Sequence, residues 1–280
     1  MEPRRKRKLK KVSRKSPKVV ELIIIESLNN NEKQTGKILH RETIKYKRFQ
    51  EPNLSSSLIT VNSKKEIVST LKKICNRITK EMLFPILHIE THGSDEGLHL
   101  SNDDILTWSE FFDETRCINI LLKNTLLINL SMCHGVSLMA KIQPTKRAPF
   151  RAFIATSGEI SWNKLLEGFE IFYNDFFFTF SGEKSVIAVN NALKEDGVEF
   201  YYIKSEYLIE QITDINRDPV FIKSMINDFA VKEKASNPFF RNVPYKYVFN
   251  HTKKKIEAIF DDVKSTVDYF LMTDIKGFFE

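Results

Sequence analysis

Cysteine is scarce in this chain: Cys75, Cys117 and Cys133 are the only three among 280 residues, and no two of them form a CxxC spacing. That excludes a disulfide scaffold and a four-cysteine zinc module. It fits a reducing compartment, where an unpaired thiol can serve as a nucleophile rather than as half of a bridge. Glycine and proline are also sparse, nine of each, which excludes collagen-like and low-complexity architectures. No apolar run approaches the ~18 residues that a membrane span needs. The most apolar stretch, Val19–Ser27 (VVELIIIES), is short and interrupted by Glu21, so it makes neither a span nor the centre of a secretory signal. A cytoplasmic globular protein is the expectation. With 280 residues, 42% of them hydrophobic, the chain can bury ~75% of its unfolded surface without a metal or disulfide staple.

Negative charge is scarce at the N-terminus. Residues 1–18 hold ten Lys/Arg against one Glu, which is +9 of a chain total of +7 and leaves −2 for the remainder. Such a segment repels itself and lacks apolar content, so it reads as a disordered basic tail. It offers contact with nucleic acid or an anionic surface. The body does not carry the basic surface of a dedicated nucleic-acid binder, so that function would rest on the tail alone.

Beyond the tail, short β-branched runs alternate with helical periods. Val19–Ser27 reads as a buried strand, Asn29–Gly36 as a loop, Thr43–Phe49 as a second, less buried strand, and Leu58–Val61 as another short apolar run. The Asn62-Ser63 start signal opens residues 64–82, where Ile67, Leu71, Ile74 and Ile78 recur at helical spacing. Phe84–Glu90 reads as a strand stopping at Gly93, Asp103–Leu122 as a helix with Ile105, Trp108, Phe111 and Phe112 inward, and Thr125–Met132 as a central strand. A helix over Val136–Ile142, a strand over Arg151–Thr156, helices over Trp162–Phe180 and Lys184–Lys194, and a strand over Glu199–Tyr202 complete the alternation. This order predicts an α/β fold with a mostly parallel sheet covered by helices on both faces. Three regions follow: the tail at 1–18, an α/β domain at 19–205, and a mostly helical C-terminal extension at 206–280, clearest after Thr213.

In an open α/β sheet, reactive groups gather beyond the carboxyl ends of the parallel strands. Two such ends stand out, His88-Ile89-Glu90-Thr91-His92-Gly93 and Ser131-Met132-Cys133-His134-Gly135. An imidazole next to a thiol activates it and later protonates a leaving amine. Nearby glycines leave amides free to face an oxyanion. A helix beginning near Val136 would add its positive end beside the sulfur.

A His-Gly strand end followed 41 residues later by a Cys-x-Gly strand end resembles the caspase–metacaspase–separase clan of cysteine peptidases, with a spacing near the ~50 residues of caspases. The likeness is closest to the bacterial caspase-like CHAT peptidases. Pro85–Gly93, Gly97-Leu98, the Trp108 helix and Phe150–Glu159 (FRAFIATSGE) carry it, over roughly residues 19–205. The resemblance implies a caspase-like three-layer sandwich and a Cys–His dyad that cuts protein substrates without a cofactor. His92 would be the general base and acid, Cys133 the nucleophile, and the Gly93 and Cys133 amides the oxyanion hole. Ala155, Thr156, Ser157 and Gly158 would line the substrate channel. Clan relatives that cleave after Arg or Lys carry an acid two positions before the nucleophile, where this chain has Ser131. Asp95, Glu96 and Glu159 are then the nearby acids for a basic side chain. Bacterial relatives of this kind often act in antiphage defence, switched on by a partner protein or signal molecule. The alternative is a catalytically silent signalling or scaffold module that binds a partner or small ligand in the same cleft.

Other residues carry weaker readings. His88, Glu90 and His92 lie on one side of a strand with no evident third metal ligand, and the zincin order His-Glu-x-x-His is absent, so no metal is expected. His88 reads as a core polar group and His134 as structural or rim-lining. Cys75 and Cys117 read as inert packing residues in helices. The aromatic run Phe169–Phe180 reads as core or as a subunit interface.

Overall fold

Runs of β-branched and aliphatic residues that are apolar on both faces cannot sit at a wetted surface, and here they build the centre of a parallel sheet. The computed structural model describes residues 19–47, 54–213, 219–237, 240 and 243–275, so the basic tail lies outside the described residues. In chain order, β1 (Val19–Ser27) is followed by α1 (Thr35–Leu39), a π-helical turn over His40–Ile44, and α2 (Lys45–Lys47). β2 (Leu54–Thr60), α3 (Lys64–Glu81) and β3 (Leu83–Gly93) come next. A small hairpin of β4 (Gly97–His99) and β5 (Ile105–Thr107) then leads into α4 (Trp108–Leu121) and β6 (Leu127–Ser131). A 3-10 helix over Gly135–Lys141, β7 (Ala152–Thr156), α5 (Trp162–Thr179), α6 (Gly182–Ala192) and β8 (Phe200–Lys204) complete the α/β part. Helices α7 (Ser205–Thr213), α8 (Pro219–Ser236) and α9 (Tyr245–Leu271) follow.

The strand order is β2-β1-β3-β6-β7-β8, with β4 and β5 attached at the end of β3. All neighbours along this path run parallel except β7 and β8. The chain is thus an α/β protein with a mostly parallel central sheet flanked by helices. Because side chains alternate across a strand, the sheet divides two cores. Ile23, Leu87, Ile128 and Phe153 face α3 and α4, with Leu71, Ile74, Phe111 and Phe112 opposite. Leu22, Ile24, Ile86 and Ile154 face α5 and α6, with Phe169, Phe172 and Val189. Of the aromatic run, Phe169, Phe172, Tyr173 and Phe177 are therefore core, whereas Phe178 and Phe180 point to solvent.

Local signals explain several boundaries. Ser63 caps α3 by accepting from the Glu66 amide at 3.3 Å. Thr107 and Glu110 form a reciprocal capping box that starts α4 at Trp108. Residues 105–107, expected as helix, form β5 instead, with Leu106 buried in the core and Ile105 only half-buried. The expected strand over Thr43–Phe49 is helical through Lys47, because Leu39 and Ile44 pack as helical neighbours against the α5 side of the sheet. Its last two residues lie outside the described ones. The loop expected over Asn29–Gly36 ends early, at the first turn of α1. The expected helix after Cys133 is the 3-10 helix over Gly135–Lys141, too short to supply an α-helical dipole.

The helical C-terminal region begins directly after β8 and is tied to the sheet domain. Ala148 donates its amide to the Phe270 carbonyl at 2.9 Å, and the Asn124 side chain donates to the Leu271 carbonyl at 3.1 Å. Arg147 pairs with Asp274 and lies 4.1 Å over the Tyr269 ring. No described helix is long and apolar enough to cross a membrane.

Gly168, on the inner face of α5, tests this packing. A Cβ there would sit 2.4 Å from the Phe200 ring of β8. Alanine gains about 1 kcal/mol of helix propensity over glycine, while overpacking costs about 1–3 kcal/mol. Gly168→Ala is therefore expected to lower stability in urea denaturation; an unchanged midpoint would show that α5 moves freely on β8.

Candidate active site

β3 and β6 lie side by side and parallel, with Glu90 opposite Ser131. Two residues beyond that pair come His92, still in β3, and Cys133, just past the end of β6. Adjacent strands lie ~4.8 Å apart, and the period of two keeps both side chains on the α5 side. His92, Cys133, Glu90 and Ser131 accordingly line one cleft of about 520 Å³.

The two strand ends touch through glycine. A Cβ on Gly93 would lie 2.4 Å from the Cys133 carbonyl oxygen and 2.9 Å from the Met132 side chain. Only a residue without a side chain lets the β3 backbone approach so closely. His134 follows in the left-handed region, with φ 55° and ψ 21°, and donates its amide to the Gly158 carbonyl at 3.3 Å. Ser137 donates to Asp95 at 2.6 Å, which ties the 3-10 helix after Cys133 to the turn after β3.

The side chains of the pair have other partners. The His92 side chain is 59% exposed, and its Nε2 lies 2.9 Å from Glu32 Oε1. Cys133 is half-buried; its Sγ lies 3.7 Å from the Ile160 carbonyl and accepts from the Ile160 amide at 3.5 Å. Neither hydrogen bond joins His92 to Cys133. Glu32 is held by the Asn29 amide, which donates to Oε2 at 2.8 Å. Partial burial works to raise its carboxyl, but the Asn29 amide and His92 outweigh that and hold it below the ordinary glutamate range. Across the cleft mouth, Lys33 lies 5.7 Å over the Trp162 ring.

Under the cleft runs a buried polar column. The Asn129 side chain donates to Tyr173 Oη at 2.6 Å, and Tyr173 Oη lies 3.0 Å from His88 Nδ1. His88 Nε2 lies 3.1 Å from Glu90 Oε2, and Thr35 donates to Glu90 Oε1 at 2.6 Å. With the phenol accepting from Asn129, its own proton goes to His88 Nδ1, which leaves Nε2–H to donate to Glu90. Full burial pushes the Tyr173 phenol upward, so it stays a donor. Glu26 on β1 is opposite Glu90. Burial first, and the Glu90 charge further, raise the Glu26 carboxyl against the lowering hydrogen bonds of the Lys37 and Gly36 amides.

No family model matches the chain, and no curated protein matches it.

The expected channel residues are placed differently from one another. Ser131 lines the cleft, whereas Ala155 and Thr156 are buried within β7, Thr156 bonding the Met132 carbonyl at 3.1 Å. Ser157 and Glu159 are exposed and Gly158 is half-buried in the loop that follows. It is the next residues, Ile160, Ser161 and Trp162, that form that wall of the cleft. Asp95 and Glu96 are exposed on the β3–β4 turn. The acids that do reach the cleft are Glu32 and Glu90. Glu32 lies in a polar loop with no local signal, and Glu90 reads in sequence as a member of a buried strand. His88 is a core polar group, as expected, and among the described residues no three His, Cys, Asp or Glu side chains are grouped to hold a metal ion.

The Glu26–Glu90 juxtaposition yields a pH test. A carboxyl raised in the folded state binds its proton more tightly there than in the unfolded chain, so it costs stability as pH rises through the folded-state value. Glu26→Gln removes that titration and keeps an acceptor for the Lys37 amide. Its stability relative to wild type should grow as pH rises above the ordinary glutamate range of ~4.3, in paired urea titrations. A pH-independent difference would show that the Glu26 carboxyl is not raised.

Proposed function

We propose that this chain is a caspase-like cysteine endopeptidase with His92 and Cys133 as its dyad. The observation that carries the reading is that the ends of two adjacent parallel strands bring an exposed imidazole and a thiol into one cleft. The resemblance to caspase-like CHAT peptidases in the motifs around those two residues supports it.

In this mechanism the Cys133 proton passes to His92 and the sulfur attacks the carbonyl carbon of a peptide bond. Amides at the Gly93 and Cys133 strand ends face the oxyanion. The tetrahedral intermediate collapses to a thioester as His92 returns the proton to the leaving amine. His92 then takes a proton from water, which attacks the thioester, and Cys133 is released as the thiol. Glu32 acts through His92 as a positioning residue, holding the ring at the cleft mouth. The substrate is a protein segment that enters between the Glu32–Lys33 loop and Trp162.

The resemblance adds context to the proposal: a triggered effector of bacterial antiphage defence working in the cytoplasm, silent until a partner protein or signal molecule acts on it. The basic tail is then a separate contact for nucleic acid or an anionic surface. A second reading is a silent signalling or scaffold module. The separate hydrogen bonds of His92 and Cys133 favour it, since neither side chain is engaged with the other.

Mapping new protein N-termini in cells that carry the wild-type chain and its trigger decides between these readings. Cys133→Ala and His92→Ala should each lower cleavage by about a thousandfold or more. Glu32→Gln should lower kcat with a smaller effect on KM. If the biological effect persists in Cys133→Ala and is lost only when the cleft is blocked by a bulky substitution at Ser131, the scaffold reading replaces the peptidase.

A further inference from the structure

The two cysteines outside the cleft meet each other on the opposite side of the sheet. Cys75 lies in α3 and Cys117 in α4, and their Sγ atoms are 2.6 Å apart. The helices hold this juxtaposition by more than the sulfurs. One turn earlier on each helix, Lys72 pairs with Glu114 at 3.5 Å, and at their N-terminal ends Lys64 pairs with Glu110 at 2.5 Å. On either side of the pair, Leu71, Ile74 and Ile78 of α3 are buried in the same core as Phe111 and Ile118 of α4. Sulfurs held this close by packed helices are already near the ~2.05 Å length of an S–S bond.

Their surroundings differ. Cys117 is exposed, whereas Cys75 is half-buried. Burial first, then the hydrogen bond and charge of Cys117 and the charge of Glu114, push the Cys75 thiol up to about 12. An exposed thiol beside a protonated, sheltered one is the arrangement in which the first meets a reagent and the second resolves the product.

We propose that Cys75 and Cys117 form a reversible dithiol–disulfide site, oxidised by a small disulfide of the glutathione type. The Cys117 sulfur, as thiolate, attacks one sulfur of oxidised glutathione; that S–S bond breaks and one glutathione leaves with the electron pair. Cys75 then loses its proton to solvent and attacks the Cys117 sulfur of the mixed disulfide, expelling the second glutathione. Two protein thiols are oxidised and one glutathione disulfide is reduced to two thiols. The bond joins α3, which runs into β3 and His92, to α4, which leads into β6 and Cys133. It therefore staples the two connections that set the strand ends of the cleft, from the far face of the sheet. This inference stands whether or not the cleft is a peptidase site.

The test uses the purified full-length chain, first reduced and then incubated with oxidised glutathione, with remaining thiols alkylated before tryptic mass spectrometry. The expected product is residues 74–77 linked to residues 117–123, lost on treatment with dithiothreitol, while Cys133 is alkylated throughout. The melting temperature should rise on oxidation by on the order of 5 °C. Cys117→Ser, an exposed and mild change, should abolish both the linked peptide and the thermal shift. Cys75→Ser should instead stop at glutathione on Cys117, which reports the order of the steps. The proposal is overturned if both wild-type cysteines stay alkylatable, if glutathione remains on wild-type Cys117, or if either cysteine links to Cys133 or to a second chain.

Discussion

Parallel hydrogen bonding between β3 and β6, in the register that sets Glu90 opposite Ser131, positions everything that follows from this fold. A parallel pair cannot be closed by a tight turn, so the chain must travel over the sheet and return, and the α4 connection does this. The return covers one face of the sheet while α5 and α6 cover the other, which is why both strands are buried on both sides. The same register sends His92 and Cys133 to one edge and one side. A slip by a single residue would turn one of them to the opposite face. Gly93 is the local condition for this arrangement, because the Cys133 carbonyl occupies the space that a side chain would need.

Beneath that edge the sheet breaks the rule that a core is apolar. Asn129, Tyr173, His88 and Glu90 form a connected column, and Glu26 stands beside Glu90 on the next strand. Low dielectric strengthens each bond and makes each missing one costly. The column is nearly complete, with Asn129 Oδ1 buried and lacking a partner among the described residues. Such groups fix side-chain directions more firmly than aliphatic packing does. They concentrate under the cleft floor, where Glu90 is both the end of the column and part of the cleft wall. Glu32 and Trp162 then add a rim from two other elements, so the cleft draws on four separate stretches of chain.

The extension after β8 is less independent than a linker-joined appendage. Its last helix returns to the turn after α4 and to the segment before β7, through Asn124, Arg147 and Ala148. Those contacts lie at the amino ends of β6 and β7, opposite the cleft end of the strands. The α3–α4 thiol pair occupies yet another surface. Cleft, C-terminal helices and thiol pair thus approach the central strands from three directions without sharing residues.

The amino-acid sequence by itself determined the elements whose signals are local. Val19–Ser27 could only be a buried strand, since β-branched residues fill both of its faces. The apolar period from Ile67 to Ile78 and the Ser63 cap mark α3, and strand-ending glycines single out His92 and Cys133 among six histidines and three cysteines. Local pattern misled at residues 43–47 and 105–107, where short apolar runs fit either period and packing of Ile44 and Leu106 decided the outcome. Only the tertiary structure decided that Glu32 meets His92 across 60 residues, that Ile160 rather than Ala155 walls the cleft, and that Cys75 meets Cys117. The physical reason is one of range. Backbone conformation answers to neighbours within a turn or a strand, whereas partners across the sheet are set by register and helix docking, which no window of sequence contains.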